Sequence, residues 1–452
     1  MQLLDQRDTA ALDRLLRRSA ADLDRAGTVA ARIIRDIRRD GDQALVRWTK
    51  KLDQVQLVLP SATPAPIPDS ASLFIGPEAM RAAWQRTPPG LRRALRHAHR
   101  NIVRMAGWQM PRAWARNVQP GVRLGQVVRP LDSVGCYVPA GRHPLPSTLL
   151  MTAATARRAG VPRVVVACPH PDDTVLAAAH LAGADGVYRM GGAQAIAALA
   201  YGTPSVPKVA KIVGPGNVFV TAAKRLIAPD CGIDFLAGPT EVLLIASAGA
   251  DPEFLAADLI AQSEHDPQAT AWLVTDSRAL GRQVIAAVAR QLQGGWNPVA
   301  AASLENRGAV IVTRSLADAV ALANRLAPEH ITVPPALLPH LDNAGSIFLG
   351  DYAPQAVGDY LSGANHVLPT ATEARRRGGL SVLDFVKIMT VQYLTRAGLA
   401  ALAPSITTLA RAEGLEAHAR SVEQRLQPRN PKPTAQTTGQ PTGNARRRPT
   451  RH

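Results

Sequence analysis

The chain has 452 residues, of which 46% are apolar and 19% are charged, so it is long enough for about three domains with sizeable cores. These values exclude both a mostly disordered chain and a small scaffold that depends on disulfides or structural metal. The three cysteines, Cys136, Cys168 and Cys231, form no CxxC pair, and this usage fits a reducing cytoplasm best.

The formal net charge of +17 raises the possibility of a polyanionic partner. The segment 427–452 carries six basic residues, no acid and no large apolar residue, so it is predicted to be a disordered basic tail. Aromatic residues make up only 4% of the chain, whereas nucleic-acid surfaces usually combine basic and stacking side chains. We therefore expect no specific nucleic-acid partner, and no membrane span or export signal is recognisable.

The N-terminal part is predicted to be helical. The first 50 residues are typical of two helices, and the second covers residues 28–52, where apolar side chains recur at helical spacing. Four prolines between Pro60 and Pro68 then interrupt the pattern. A basic helix with one apolar face is predicted over residues 90–108.

From Val127 onward the pattern becomes α/β. Short β-branched runs at 163–167, 211–213, 241–245 and 309–313 alternate with alanine-rich helical stretches, which predicts parallel sheets with crossover helices. Two such series indicate two Rossmann-like halves, although the G-x-G-x-x-G fingerprint is absent. Past Leu380 the chain is predicted to be helical again, over 391–402 and 406–426.

Glycine-bearing turns occur at 138–141, 190–194 and 212–217. The last of these leads from a short strand into a predicted helix, where backbone amides can hold a phosphate. Gly-Pro-Gly is also common in plain tight turns, so the motif alone does not decide between these two roles.

Three polar clusters follow. Gln262 and His265 stand at the end of a helix predicted to begin with Asp251 as its cap, and their i, i+3 spacing suits either a metal pair or a plain polar helix end. Glu329 and His330 precede a predicted strand and are a candidate acid–base pair, although adjacent side chains point apart unless the backbone turns. The remaining polar sets lie at 358–366 and 411–418.

Taken in order along residues 25–426, these motifs resemble those of the histidinol dehydrogenase family. The resemblance depends on DSVGCYVPAG, GGAQAIAALAYGT, KIVGPGN, GIDFLAGPTEVL, LIAQSEHDP, APEHI, AGSIFLGDYAP, VGDYLSGANHVLPT and EGLEAHA. It implies a zinc- and NAD-dependent enzyme that oxidises L-histidinol through histidinal to L-histidine with two NAD, in the last steps of histidine biosynthesis.

The resemblance also implies roles for individual residues. It assigns the zinc ligands to Gln262, His265, Asp359 and His418, a set without cysteine in which Mn²⁺ could replace Zn²⁺. It assigns acid–base catalysis to Glu329 and His330, with His330 also contacting the substrate. Further substrate contacts fall on Thr240, His366 and Glu413, and NAD contacts fall on Tyr137, Gln194 and Asn217.

The expected domain organisation combines these assignments with the pattern of elements. Residues 1–25 form a helical segment, 26–135 together with 243–380 form the Rossmann-like domain with the metal and catalytic residues, and 136–242 form the Rossmann-like domain that contacts NAD. Residues 381–426 form a helical unit that completes the partner's active site in a homodimer.

Some positions depart from the usual family pattern. Thr240 stands where the family usually has Ser, and Ala140 replaces the first Gly of the V-P-G-G turn. The stretches 372–378 and 389–392 also deviate. Because these departures affect the pocket rather than the catalytic pair, a sister dehydrogenase that acts on another polar alcohol or a sulfonated diol is the alternative.

Overall fold

The computed structural model describes residues 1–8, 10, 20–58, 71–139 and 144–428. Ala140 and all but the first two residues of the predicted basic tail lie outside the described part. The chain divides into a first unit, Met1–Pro111 with Val128–Lys387, and a second unit, Arg112–Val127 with Ile388–His452. Among the described helices, none is both long and apolar enough to cross a membrane.

The first sheet of the first unit has six strands in the spatial order β2-β7-β6-β5-β8-β9. β2 is antiparallel to β7, and the other pairs are parallel. The strands are β2 (Phe74–Ile75), β5 (Ser133–Tyr137), β6 (Arg163–Ala167), β7 (Gly186–Tyr188), β8 (Lys211–Val213) and β9 (Gly232–Ile233).

Helices cover both faces of this sheet, as its runs of buried β-branched residues require. Val164 and Val166 of β6 point into one core, whereas Val165 points into the other. On the side of Val164 lie α3 (Pro77–Arg86), α4 (Pro89–Gln109), α5 (Pro146–Leu149), a π-helix (Leu150–Ala154), α6 (Thr155–Arg158) and α7 (Asp173–Ala182). On the other side lie α1 (Ala20–Asp40), α2 (Asp42–Leu52), α8 (Gly192–Tyr201) and α9 (Val218–Ile227).

The second sheet repeats the same arrangement with the spatial order β1-β12-β11-β10-β13-β14, and all of its strand pairs are parallel. The strands are β1 (Gln2–Asp5), β10 (Glu241–Ala246), β11 (Thr270–Thr275), β12 (Ala309–Val312), β13 (His330–Val333) and β14 (Ser346–Leu349). The associated helices are α10 (Pro252–Ser263), α11 (Arg278–Gln291), α12 (Pro298–Arg307), α13 (Leu316–Leu326) and α14 (Gln355–Tyr360). Short 3-10 helices cover Pro335–His340, Glu373–Arg375 and Val382–Phe385.

In each sheet one strand lies in the middle, β5 in the first sheet and β10 in the second. The strands that follow it in the chain are added first on one side of it and then on the other. This is the doubly wound order, so the prediction of two Rossmann-like parallel-sheet halves is confirmed. The direction of winding reverses between β5 and β8 in the first sheet, and between β10 and β13 in the second.

The structure groups the N-terminal residues differently from the sequence prediction. Residues 2–5 form β1 and pair with β12, so the segment 1–25 is not wholly helical. Most of residues 26–135 pack on the first sheet, whereas we predicted them with 243–380. The reason is that both faces of the first sheet are apolar and must be covered by helices. Local sequence patterns predict such helices but do not show which of the two sheets they cover.

One predicted helix is divided in two. Residues 28–52 were predicted as a single helix, but Gly41 separates α1 from α2 with a φ of 56°. Such a backbone conformation is easy for glycine and interrupts the helix.

The second unit contains a three-stranded sheet in the order β15-β4-β3 and two helices. Its elements are β3 (Trp114–Gln119), β4 (Val122–Pro130), β15 (Val386–Leu394), α15 (Arg396–Ala412) and α16 (Glu416–Leu426). The predicted helix over 391–402 is therefore wrong in its first part, because residues up to Leu394 pair as a strand in this sheet. A nearby hairpin decides that pairing, and a helical pattern in an isolated window cannot reveal it.

Candidate active site

The predicted catalytic residues meet at the amino ends of two neighbouring strands. Thr240 and Glu241 lie at the start of β10, and Glu329 and His330 lie at the start of β13. β10 and β13 are parallel with Val242 opposite His330, so their amino ends share one edge of the sheet. α10 runs back across the sheet after β10, which returns Gln262, in its last turn, to the same edge.

A chain of hydrogen bonds fixes the Glu329 carboxylate. Its Oε2 accepts from the Thr240 hydroxyl at 2.5 Å and from the Glu241 amide at 2.8 Å, while the Gln262 amide nitrogen donates to the Thr240 hydroxyl. Glu329 is buried. No described residue donates to its Oε1, so one carboxylate oxygen remains available to a ligand or to water.

His330 is held by its Nδ1, which lies 3.0 Å from the Glu241 carbonyl oxygen. A carbonyl only accepts, so Nδ1 carries the hydrogen, and in the neutral ring Nε2 is the free basic nitrogen. Nε2 faces the Asp359 carboxylate at 4.0 Å. This hydrogen bond therefore selects the ring nitrogen that can exchange a proton with a substrate.

Burial alone lowers the pKa of His330, but the charges of Glu329 and Asp359 and the Glu241 carbonyl outweigh burial and raise it to about 9. The proton affinity of this imidazole thus depends on the charge at Asp359, which is one of the predicted metal ligands.

Asp359 and His366 come from α14 and the segment after it. His366 Nδ1 donates to the Asp359 carbonyl oxygen at 2.9 Å, and His366 Nε2 lies 3.1 Å from the Thr148 hydroxyl. Burial lowers the pKa of His366. The Asp359 carboxylate accepts no hydrogen bond from a described residue, and the nearest imidazole nitrogens lie 3.9 and 4.0 Å away.

Two of the predicted metal ligands, Gln262 and Asp359, thus lie beside His330. A third, His265, was predicted on the same helix face as Gln262, but α10 ends at Ser263 and His265 lies exposed beyond it. Within the described ranges, no group of three or more His, Cys, Asp or Glu side chains is arranged to hold a metal ion.

The donor set still fits a metal ion in part. Asp359 is a mostly buried carboxylate that accepts no hydrogen bond from a described residue, and Gln262 and Asp359 both lie beside the His330 ring. Oxygen and imidazole donors suit Zn²⁺ or Mn²⁺. Three of the four predicted ligands, Gln262, His265 and Asp359, belong to the first unit.

The fourth predicted ligand, His418, and the predicted substrate residue Glu413 belong to the second unit. Glu413 follows the last turn of α15, His418 lies in the first turn of α16, and both side chains are exposed. Arg411 pairs with Glu416 and Glu423 and thereby joins the two helices of the second unit.

The predicted NAD-contacting residues all lie at the carboxyl end of the first sheet. Tyr137 ends β5, Gln194 lies in the first turn of α8, and Asn217 caps α9 by accepting from the Phe219 and Val220 amides. The Tyr137 hydroxyl accepts from the Gly192 amide at 3.1 Å. Doubly wound sheets bind ligands at this end, beside the point where the winding reverses, here between β5 and β8.

A buried ion pair supports the Gly-Pro-Gly turn at this reversal point. Lys224 and Asp234 lie 2.6 Å apart with side chains 3% and 1% exposed. Asp234 accepts from the Gly214 amide at 2.7 Å, and Lys224 donates to the Gly214 carbonyl at 2.5 Å. Gly214 has a φ of 116°, and a side chain there would collide with the Tyr137 carbonyl.

Sequence reasoning missed Asp53. Its carboxylate accepts from the Gly191 amide at 3.0 Å and from the Gln194 side-chain nitrogen at 2.9 Å, which sets the orientation of the Gln194 amide. Burial raises the pKa of Asp53. The residue after Asp53, Gln54, lines a cavity of about 500 Å³ together with His170 and Arg189. No local signal identified Asp53, because a single Asp after a helix has no distinctive spacing.

Comparisons with known proteins give matches over most of the chain. Residues 16–426 match the family model described as Histidinol dehydrogenase. The histidinol dehydrogenases of Methanothermobacter thermautotrophicus and Geobacter sulfurreducens are 44% and 43% identical to this chain, over 93% and 94% of it and 98% and 100% of their own lengths. The crystal structure of histidinol dehydrogenase from Elizabethkingia anophelis is 32% identical and superimposes with a TM-score of 0.86, covering 94% of this chain and 98% of that one.

Proposed function

The chain belongs to the histidinol dehydrogenase family, and we propose that it oxidises L-histidinol to L-histidine in two steps through histidinal, with one NAD consumed in each step. The observation that carries this proposal is the cluster at the amino ends of β10 and β13. There, one imidazole nitrogen of His330 and one carboxylate oxygen of Glu329 remain free while the rest of each side chain is hydrogen-bonded.

His330 serves the alcohol step. Its Nε2 accepts the proton of the alcohol as the C–H hydride leaves, and the Glu241 carbonyl stabilises the resulting imidazolium through Nδ1–H. The nearby Glu329 and Asp359 carboxylates favour the same protonated state.

Glu329 serves the aldehyde step. Its free Oε1 takes a proton from water as the water oxygen bonds to the aldehyde carbon. His330, protonated in the alcohol step, returns its proton to the former carbonyl oxygen, so a neutral hydrate forms. The hydrate then loses one hydroxyl proton to His330 as its C–H hydride leaves, which gives the carboxylic acid, and a second NAD would accept that hydride. The Thr240 and Glu241 hydrogen bonds to Oε2 keep Oε1 oriented toward the reacting carbon.

One zinc ion per subunit would be held by Gln262, His265, Asp359 and the partner's His418. When bound, zinc would hold the amino and imidazole nitrogens of the substrate, and NAD would accept hydride. The support is the Asp359 carboxylate, which accepts no hydrogen bond from a described residue and lies, like Gln262, beside the His330 ring.

Chelation tests the metal assignment. We expect chelation to abolish turnover while the far-UV circular dichroism spectrum remains unchanged. The reason is that most of the proposed ligands lie on elements of a large α/β core, which packs without metal. Loss of secondary structure together with activity would instead make the metal structural.

The dinucleotide would bind at the carboxyl end of the first sheet through Tyr137, Gln194 and Asn217. The reversal point between β5 and β8 and the glycine turns beside it support this placement.

We also propose a homodimer in which Glu413 and His418 complete the partner's site. The support is the second unit itself, where several apolar side chains are 43–65% exposed, and exposed apolar surface is typical of interaction sites. These side chains are Val118, Ile388, Met389, Val391, Tyr393 and Leu409.

The decisive test measures NADH formed per L-histidinol, with a panel of other polar alcohols and diols for comparison. We expect two NADH per histidinol and histidine as the product. The variant His330→Asn should lower the alcohol step by about 100-fold or more, and Glu329→Gln should lower oxidation of supplied histidinal more than that of histidinol. One NADH per substrate, or preference for another alcohol, would contradict the proposal.

A further inference from the structure

We propose that Thr148 is a positioning residue for substrate binding, because its hydroxyl holds the His366 imidazole in one orientation. This inference rests on the proposed function, in which His366 contacts the substrate. Thr148 lies in the part of the first unit that contains the first sheet, whereas His366 lies in the segment after α14.

The two ring nitrogens of His366 have different partners. Nδ1 lies 2.9 Å from the Asp359 carbonyl oxygen, which can only accept, so Nδ1 carries the hydrogen. In the neutral ring Nε2 is then an acceptor, and the Thr148 hydroxyl, 3.1 Å away, donates to it. Together the two hydrogen bonds select one tautomer and one ring orientation.

The position of Thr148 is itself well defined. Thr148 is buried near the end of α5, and the π-helix Leu150–Ala154 follows within two residues. Its carbonyl accepts from the Thr152 hydroxyl at 2.8 Å. π-helical turns are rare and are frequent at functional sites, so this local geometry agrees with a functional role.

A second hydrogen bond attaches the same segment to the same helix. The Asn365 side-chain nitrogen donates to the Met151 carbonyl, within the π-helix, at 2.8 Å. Asn365 thus anchors the backbone of the segment, whereas Thr148 contacts the imidazole. Loss of the Thr148 hydroxyl would leave the segment in place and remove one of the two hydrogen bonds that orient the ring.

The experiment compares Thr148→Val, which lacks the hydroxyl, with Thr148→Ser, which retains it. Thr152→Val is the matched control, because the Thr152 hydroxyl donates to the Thr148 and Leu149 carbonyls and has no hydrogen bond with His366. The KM for histidinol, the KM for NAD and kcat are measured for each variant, with thermal unfolding as a check on folding.

We expect Thr148→Val to raise the KM for histidinol about tenfold, the effect of one lost hydrogen bond, with the KM for NAD within about twofold of the original. Thr148→Ser and Thr152→Val should both keep the KM for histidinol within about twofold. If valine is not accommodated, Thr148→Ala makes the same comparison with Thr148→Ser.

Equal KM values for the valine, alanine and serine variants would overturn the proposal, and so would an equal rise in both KM values for Thr148→Val. Failure of the unaltered protein to oxidise histidinol would instead refute the proposed function, so the two failures are distinguishable.

Discussion

Ala371 and Thr372, two consecutive residues beside the site, adopt the left-handed backbone conformation, with φ of 58° and 68°. Such values are uncommon for residues with a Cβ and cost about 1–2 kcal/mol each. The Ala371 amide donates to the buried Glu241 carboxylate at 3.0 Å, so the strained turn is held against the first residue of β10. The strain thus persists because a contact with the catalytic strand maintains it.

We predict that Thr372→Gly stabilises the protein by about 1 kcal/mol, because glycine adopts this φ without a Cβ clash. Thr372→Ala is the control, since it removes the hydroxyl and methyl but keeps the Cβ. Unfolding in urea compares the variants. The Thr372 side chain makes no capping hydrogen bond, so its removal in either variant does not break a cap. An equal gain in stability for alanine would therefore mean that the Cβ is not the source of strain.

At the scale of elements, α10 carries a carboxylate that its surroundings do not compensate. Asp258 lies one turn before Gln262 on the same helix face, and burial raises its pKa to about 6. It has no hydrogen bond or ion pair with any described residue. The ionised form therefore destabilises the fold.

Because the folded-state pKa lies above the unfolded value of about 4, this penalty is complete above pH 6 and disappears as the pH falls toward 4. Asp258→Asn should therefore gain on the order of 2 kcal/mol at pH 7.5 and much less at pH 4.5. Urea unfolding at both pH values measures the gain.

Asp251→Asn, which removes a charge from the same helix and keeps an N-cap side chain, provides the comparison. A gain for Asp258→Asn that does not change with pH would show that titration of Asp258 is not its cause.

The turn between β8 and α9 depends on a buried ion pair rather than on its glycines alone. We predict that Lys224→Met destabilises the protein by about 3–5 kcal/mol, because it leaves the Asp234 charge buried without a partner. The double variant Lys224→Met with Asp234→Asn should recover part of this loss. Arg86→Met, which breaks the exposed pair with Asp173, should cost at most about 1 kcal/mol. Similar losses for both single variants would contradict a special role of burial.

At the scale of the whole molecule, the predicted site residues belong to both units of the chain. Glu329, His330, Gln262 and Asp359 belong to the first unit, and Glu413 and His418 belong to the second. The helices α15 and α16 have few buried residues of their own, and their unit carries several exposed apolar side chains.

A mixed dimer tests the proposed sharing of sites. His330→Ala and His418→Ala should each be inactive as homodimers, but their coexpression should restore up to about one quarter of the activity if the two chains pair at random. One site of the mixed dimer then contains His330 from one chain and His418 from the other. Verified mixed dimers without any activity would mean that each site is built from a single chain.

The sequence by itself determined the α/β class, the two parallel-sheet series and the strands at 163–167, 211–213, 241–245 and 309–313, because β-branched runs are local signals. It also determined the family, since many polar motifs occur in one order, and those motifs contain Glu329 and His330. The end of α10 before His265 and the strand β15 were not predictable from local patterns, because each depends on neighbouring elements.

Only the tertiary structure decided which helices cover which sheet, because apolar faces are interchangeable until packing selects their partners. It also decided the chemistry of single atoms. The Glu241 carbonyl selects the basic nitrogen of His330, Thr148 reaches His366 from another part of the chain, and Asp53 orients Gln194. Hydrogen bonds between residues far apart in the chain leave no periodicity or spacing in the sequence, so they appear only when the chain is folded.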